Sequence, residues 1–171
     1  MRLLLALVLL TGCASAATLE QRSARGELAE GCLGKMRERP LVPAADTHVI
    51  RMLVEPGWKR PTAHRVVVHP RGSGTLVFRK LNWCDSERPW LMAARRVHLT
   101  RRQVARLLAL LDEMHFWFVG PDMTRSGAYH PTFLSLEVTR DGRHRELWGH
   151  AVDRQLWAVA QLLARYARLA R

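Results

Sequence analysis

From residue 48 onward, apolar and polar positions alternate with a period of two. Ile50, Met52 and Val54 share one side of a stretch running from His48 to Val54, which Pro56-Gly57 stops, so the stretch reads as a strand. Ala63 to His69 follows, with Val66 and Val68 on one side and Val67 on the other, a pattern that predicts burial on both faces. The run His69-Pro70-Arg71-Gly72-Ser73-Gly74 is turn chemistry, and Thr75 to Leu81 completes a three-stranded antiparallel meander. Residues 82–94 form a long connection containing Trp83, Cys84, Pro89 and Trp90. Connections of this length often carry function, and two indoles there can also serve to cover the sheet. Arg95 to Leu99 adds a short fourth strand.

At Thr100 the period changes to that of a helix. Thr100 and Gln103 make a capping box, and Val104, Leu107, Leu108, Leu111 and Met114 then recur on one helical face. The helix yields to His115-Phe116-Trp117-Phe118, an aromatic run stopped by Gly120-Pro121. After a loop over 122–131, Thr132 to Thr139 and Arg143 to Gly149 read as a hairpin around Asp141-Gly142. A two-residue turn places Glu137 opposite Glu146, whereas a three-residue turn with a Gly142 bulge places it opposite Arg145. Cross-strand charge pairing favours the second register. Asp153 caps a last helix with Leu156, Val159, Ala160, Leu163 and Ala167 on its buried stripe, and Arg165, Arg168 and Arg171 near the C-terminus, where the dipole favours cations. The order β-β-β-(β)-α-β-β-α predicts an α+β fold, an antiparallel sheet with two helices packed on one face, in a single domain over 47–171.

The amino end is patterned differently. Met1-Arg2 precedes an unbroken apolar run from Leu3 to Leu10, far below the roughly 20 residues that a spanning helix needs, so it reads as a signal peptide over 1–12. Leu10-Thr11-Gly12-Cys13 resembles the lipobox of bacterial lipoproteins, a branched apolar residue and two small ones before a cysteine. That resemblance implies cleavage ahead of Cys13, acylation of its thiol and new amine, and a durable membrane anchor. The following residue is Ala14 and not Asp, which in the enterobacterial sorting pattern favours the outer membrane over the inner. Ordinary secretion to the periplasm, with a cut after Ala14-Ser15-Ala16, is the alternative. Residues 13–46 are expected to hold the lipidated Cys and a tether or loose helix built on Leu19, Leu28, Cys32 and Met36, ending at Pro40 and Pro43.

Composition adds a charge. At 48% hydrophobic residues over 171 positions the chain can build one packed core, and its formal net charge is +12, from 27 basic against 15 acidic residues. Lys occurs only at 35, 59 and 80, leaving 24 Arg, a bias more simply set by coding preference than by nucleic-acid contact. In an envelope compartment such a surface points to anionic lipid, a cell-wall polymer or an envelope protein as partner, with nucleic acid unlikely. Cys32 and Cys84 remain after Cys13 is set aside, an even pair able to form a disulfide in an oxidising compartment. A catalytic thiol at Cys84 is disfavoured, because Asp85 and Glu87 would raise its pKa.

Catalytic and metal motifs are absent. His64 and His69 fall on opposite sides of one strand, His144 and His150 lie about 20 Å apart along another, and no His-Glu-x-x-His occurs. A composite pair such as His130 with His150 is what is left for a metal, so no cofactor is expected. Gly72-Ser73-Gly74 lacks nucleophile-elbow spacing, and Asp112-Glu113 diverge by about 100° on their helix. The residue cluster that stands out is Arg95, Arg96, His98, Arg101 and Arg102 at the start of the first long helix. There the dipole disfavours cations, and an anion would relieve both.

The body, through Leu107 to Leu111 leading to Phe116-Trp117 and through Leu136-Glu137 with Gly142, resembles a group of uncharacterised small bacterial envelope proteins. That group often has Asp-Gly where this chain has His130-Pro131, and the resemblance implies a fold and no function. The expectation is a lipid-anchored envelope protein acting as a binding or structural module. The alternative is a periplasmic enzyme whose site gathers Cys84, Asp122 and His130 from the 82–94 and 122–131 loops.

Overall fold

A computed structural model describes residues 31–57, 59–84, 88–120 and 132–169. A short helix, α1, is described over 31–35. The strands β1 (His48–Pro56), β2 (Thr62–Val68), β3 (Gly74–Leu81) and β4 (Leu91–Leu99) lead into α2 (Arg101–Glu113), followed by β5 (Thr132–Arg140), β6 (Arg143–His150) and α3 (Arg154–Ala167). The fold is α+β with one six-stranded sheet in the order β4-β3-β2-β1-β5-β6, every neighbouring pair antiparallel.

Register assigns the two faces. Ile50 is opposite Val66 on one side and Val138 on the other, and Met52 is opposite Leu136, which is opposite Leu147. These residues form one buried cluster with Val104, Leu107 and Leu111 of α2 and Leu156, Val159 and Leu163 of α3. Gly74 permits the close approach of α2, since a Cβ there would sit 3.1 Å from both Val104 Cγ2 and the Val67 carbonyl. The capping box at Thr100 is formed, with Gln103 N–H donating to Thr100 Oγ1 and Thr100 N–H donating to Gln103 Oε1. Asp153 caps α3 through Gln155 and Leu156 N–H.

Three features differ from the sequence reading, each for a local reason. β4 begins at Leu91 rather than Arg95, because Ala93 and Leu91 find partners in Lys80 and Leu81 across a bulge. α2 ends at Glu113 with Met114 as its cap, where the sequence has it yield to the aromatic run. His115 adopts φ 50°, its N–H donates to the Asp112 carbonyl and Phe116 N–H donates to the Leu111 carbonyl, which makes a Schellman stop closed by the buried Leu111 and Phe116 side chains. The β5–β6 turn is the two-residue one. Asp141 and Gly142 both have positive φ, 51° and 71°, as a type I′ turn requires, so Glu137 stands opposite Glu146 and not Arg145. The expected repulsion is removed because Glu137 pairs with Arg51 and His144, while Ser135 Oγ donates to Glu146 at 2.7 Å.

The third difference lies at the amino side, where the folded body starts earlier than residue 47. Cys32, Leu33 and Met36 are buried against Leu53, Ala63, Leu81 and Cys84 on the face of the sheet opposite the main core. Cys32 and Cys84 are joined by a disulfide, with their Cα atoms 4.9 Å apart. Just beyond α1, Glu38 pairs with Arg79 and lies 3.6 Å from Arg65, and the Arg39 carbonyl accepts from Arg51 (2.9 Å) and Arg65 (3.0 Å). Residues 31–41 are therefore a clasp laid across the second face. Cross-linking residues 52 apart removes about 4 kcal/mol of unfolded-chain entropy. Reducing the disulfide is expected to lower the unfolding free energy by about that amount in urea titrations and to expose 31–41 to limited proteolysis.

Candidate functional site

The alternation in β2 places His64 on the face that packs against the helices, opposite Met52 on β1 and Phe78 on β3. Its ring lies 5.2 Å from that of Phe78, the residue is 1% exposed, and neither ring nitrogen has a hydrogen-bond partner. A neutral imidazole offers one donor and one acceptor, and leaving a buried polar atom unsatisfied costs about 1–3 kcal/mol. Burial holds its pKa down to about 4, so the ring is neutral at pH 7.

Space adjoins this ring. A recess of about 460 Å³ under the C-terminal half of α3 is lined by Val54, Thr62, His64, Ala160 and Ala164, with Trp157, Gln161, Arg165 and Arg168 at its sides. A second, of about 420 Å³, shares Thr62, His64, Ala164 and Arg168 and extends over Phe78, Lys80, Ala93 and Arg95. A third, of about 470 Å³, shares Val54, Thr62 and Lys80 and reaches Lys59, Arg60 and Trp83. All three meet at Thr62, so this end of the sheet carries one branched cleft. Its walls are apolar, its floor is an unpartnered histidine, and among the described residues that line it six are Lys or Arg and none is Asp or Glu.

Two of those cations have a second reason to be there. Arg165 and Arg168 close α3, where the free carbonyls give the helix end partial negative charge, and Arg168 Nε donates to the Ala164 carbonyl at 3.4 Å. The opposite face differs in kind. There Arg51, Arg65 and Arg79 are matched by Glu137, Glu38 and the Arg39 carbonyl, and His144 Nε2 lies 2.7 Å from Glu137 Oε1. Burial, with the Arg51 and Arg39 charges nearby, lowers the Arg65 pKa. For Arg79, burial does the same with help from Arg96. This second network is internally paired and serves the clasp.

The arginine cluster read from the sequence is spread across these surfaces. Arg95 faces the cleft, opposite Phe78. Arg96 and His98 alternate onto the clasp side, opposite Val77 and Thr75. Arg101 and Arg102 open α2 as exposed residues, and the N–H groups of Thr100 and Gln103 are already taken by the capping box. Cys84, considered for an enzymatic site, is engaged in the disulfide. Asp122 and His130 lie outside the described residues, as does Cys13. Among the described residues, Cys32, Cys84 and Glu55 gather ligand atoms within 4.8 Å of one another, but sulfurs bonded to each other are not the thiolates that zinc binds. No helix among the described residues is long and apolar enough to cross a membrane.

His64 was legible from the sequence only as facing away from His69, and Arg165 and Arg168 only as partners of a helix dipole. What joins them is the docking of α3, about 100 residues away in sequence. In comparisons with known proteins, no family and no curated protein matches this chain.

His64 gives the site a pH signature. The unfolded chain takes up a proton at this residue near pH 6.5, whereas the folded protein resists until about pH 4. Its contribution to stability is complete above pH 6.5 and is lost as pH falls through the window down to 4, on the order of 3 kcal/mol. In urea titrations at stepped pH, His64→Leu is expected to remove that slope while matching or exceeding the wild-type stability at pH 7, where it also deletes two unsatisfied atoms.

Proposed function

We propose that the protein is a lipid-anchored component of the bacterial cell envelope, held through an acylated Cys13 and facing the periplasm, on the outer rather than the inner membrane. Its folded part, two helices layered over one face of the sheet, is a binding module rather than an enzyme. Its ligand is a molecule with an apolar body and an anionic group, held in the cleft between α3 and the sheet. The observation that carries this reading is the composition of the cleft, which among the described residues has an apolar wall, six cationic lining residues and no acidic one.

The parts divide the work of binding. Val54, Phe78, Ala160 and Ala164 offer apolar surface, and each Å² of ligand they take from water is worth about 25 cal/mol. Arg165 and Arg168 supply planar forks suited to a carboxylate or phosphate at the mouth, at a strength reduced by solvent and salt because both are exposed. His64 stands ready to exchange one neutral hydrogen bond with a ligand atom that reaches the floor. A purely polar cell-wall fragment would leave the apolar wall unused, which favours an amphiphile. Thiol chemistry at Cys84 lacks support, since that cysteine is bridged to Cys32.

A fluorescent long-chain fatty acid is the probe for the cleft. Saturable binding near one per chain is expected, weakened about 10-fold or more by Arg168→Gln and abolished by Ala164→Phe, which fills the space beside His64. Binding that Ala164→Phe leaves unchanged would remove the cleft from this account. The anchor is checked separately by feeding cells radioactive palmitate. Label is expected on the chain and lost in Cys13→Ser, with the protein then released from the membrane fraction.

A further inference from the structure

We infer that the corner of the sheet formed by Trp83, Trp90, Leu91 and Met92 is a contact surface for an anionic lipid bilayer. Four large apolar side chains are exposed within ten residues of sequence, at 46%, 59%, 39% and 37% of their full areas in that order. The two indoles of the 82–94 connection thus leave about half of their area open to solvent. They are also held in place. Asn82, itself buried, donates its N–H to the Trp90 carbonyl at 3.2 Å and accepts from Trp90 N–H on Oδ1 at 2.9 Å, which closes the loop with one tryptophan on each side of it. Cys84 is tied to Cys32, and Lys35 Nζ donates to the Cys84 carbonyl. The bulge opposite Lys80 and Leu81 falls at Met92, which has no partner in the register and stays exposed beside Leu91.

Exposed apolar groups on a rigid support mark an interaction surface, and the surrounding charge identifies the partner. Trp83 shares its recess with Lys59, Arg60 and Lys80, and the adjoining recess adds Arg95, with no acid among the described residues that line either. Asp85 and Glu87 lie between the two tryptophans in sequence, outside the described residues, and are followed by the exposed Arg88. Amphipathic indoles settle at the level of lipid head groups, and Lys or Arg beside them meet phosphate. A protein partner would need acidic side chains spaced to match this pattern, whereas an anionic bilayer presents phosphate everywhere. Seated this way, the protein turns the third recess, and through it the cleft, toward the lipid. The surface nonetheless rests on exposure and charge, and does not require the cleft to hold anything.

Depth-dependent quenching tests this on the full-length Cys13→Ser chain, in which no acyl group contributes to binding. With phosphatidylglycerol vesicles brominated high on the acyl chains, tryptophan emission is expected to fall, and most of that fall is expected to vanish in the Trp83→Phe, Trp90→Phe double variant. Because both positions are exposed, the variant is expected to keep the parent's melting curve. Lys59→Gln with Lys80→Gln is expected to reduce partition to these vesicles roughly 30-fold, with a matching sensitivity to salt. Ala164→Phe leaves the quenching intact if the surface acts independently of the cleft, so a loss of fatty-acid binding alone does not touch this inference. It is overturned if the double variant is quenched as strongly as the parent, if the chain binds vesicles without quenching, or if neutral phosphatidylcholine quenches equally.

Discussion

The neutralisation of three arginines by a segment that crosses them organises one whole face of this protein. Arg51 and Arg65 are opposite one another on adjacent strands, and Arg79 lies one strand further on. Like charges on neighbouring strands repel, and their removal from water is costly unless each meets an opposite charge or a carbonyl. Glu137 from β5 answers Arg51, Glu38 answers Arg79 and Arg65, and the Arg39 carbonyl accepts from two of the three. Without residues 38 and 39 the middle of the sheet would carry uncompensated charge. With them, the second face has a reason to be covered, and the disulfide keeps the cover where the charges need it.

Arg51, Arg65 and Arg79 are matched within the fold, whereas six other cations have no acid beside them among the described residues that line the cleft. They collect at the end of the sheet around Thr62, under α3 and beside the tryptophan corner, where apolar walls and cationic rims adjoin. A high overall charge therefore resolves into two kinds of site, one that locks the fold and one that remains available to a ligand or a surface. Proximity of the clasp to the 82–90 loop links the two. The bond at Cys84 that fastens the clasp also stiffens the loop that presents Trp83 and Trp90.

The elements that local rules govern were the ones the chain announced. The Thr100 capping box, the Asp153 cap and the period-two runs of β1 to β3 depend on residues within a few positions of one another. The Glu137 register was misjudged because Glu137 and Glu146 look repulsive as a pair, and what relieves them, Arg51, His144 and Ser135, is partly on another strand. The end of α2 before His115 was announced by the aromatic run that follows, although its left-handed cap is filled by a histidine where glycine is usual. The clasp could not be read from 31–41 alone, since its partners are spread over β1, β2 and β3. The same holds for the cleft, whose histidine and arginines meet only after α3 has docked.

The link from Cys32 to Cys84 has a mechanical consequence. Tension applied between a tethered amino end and the rest of the molecule would enter at Cys32 and pass straight through the sulfur bond to Cys84. The main chain of β1, β2 and β3 lies in the bypassed loop, so that tension is not carried along it and reaches these strands only through their hydrogen bonds to β4 and β5.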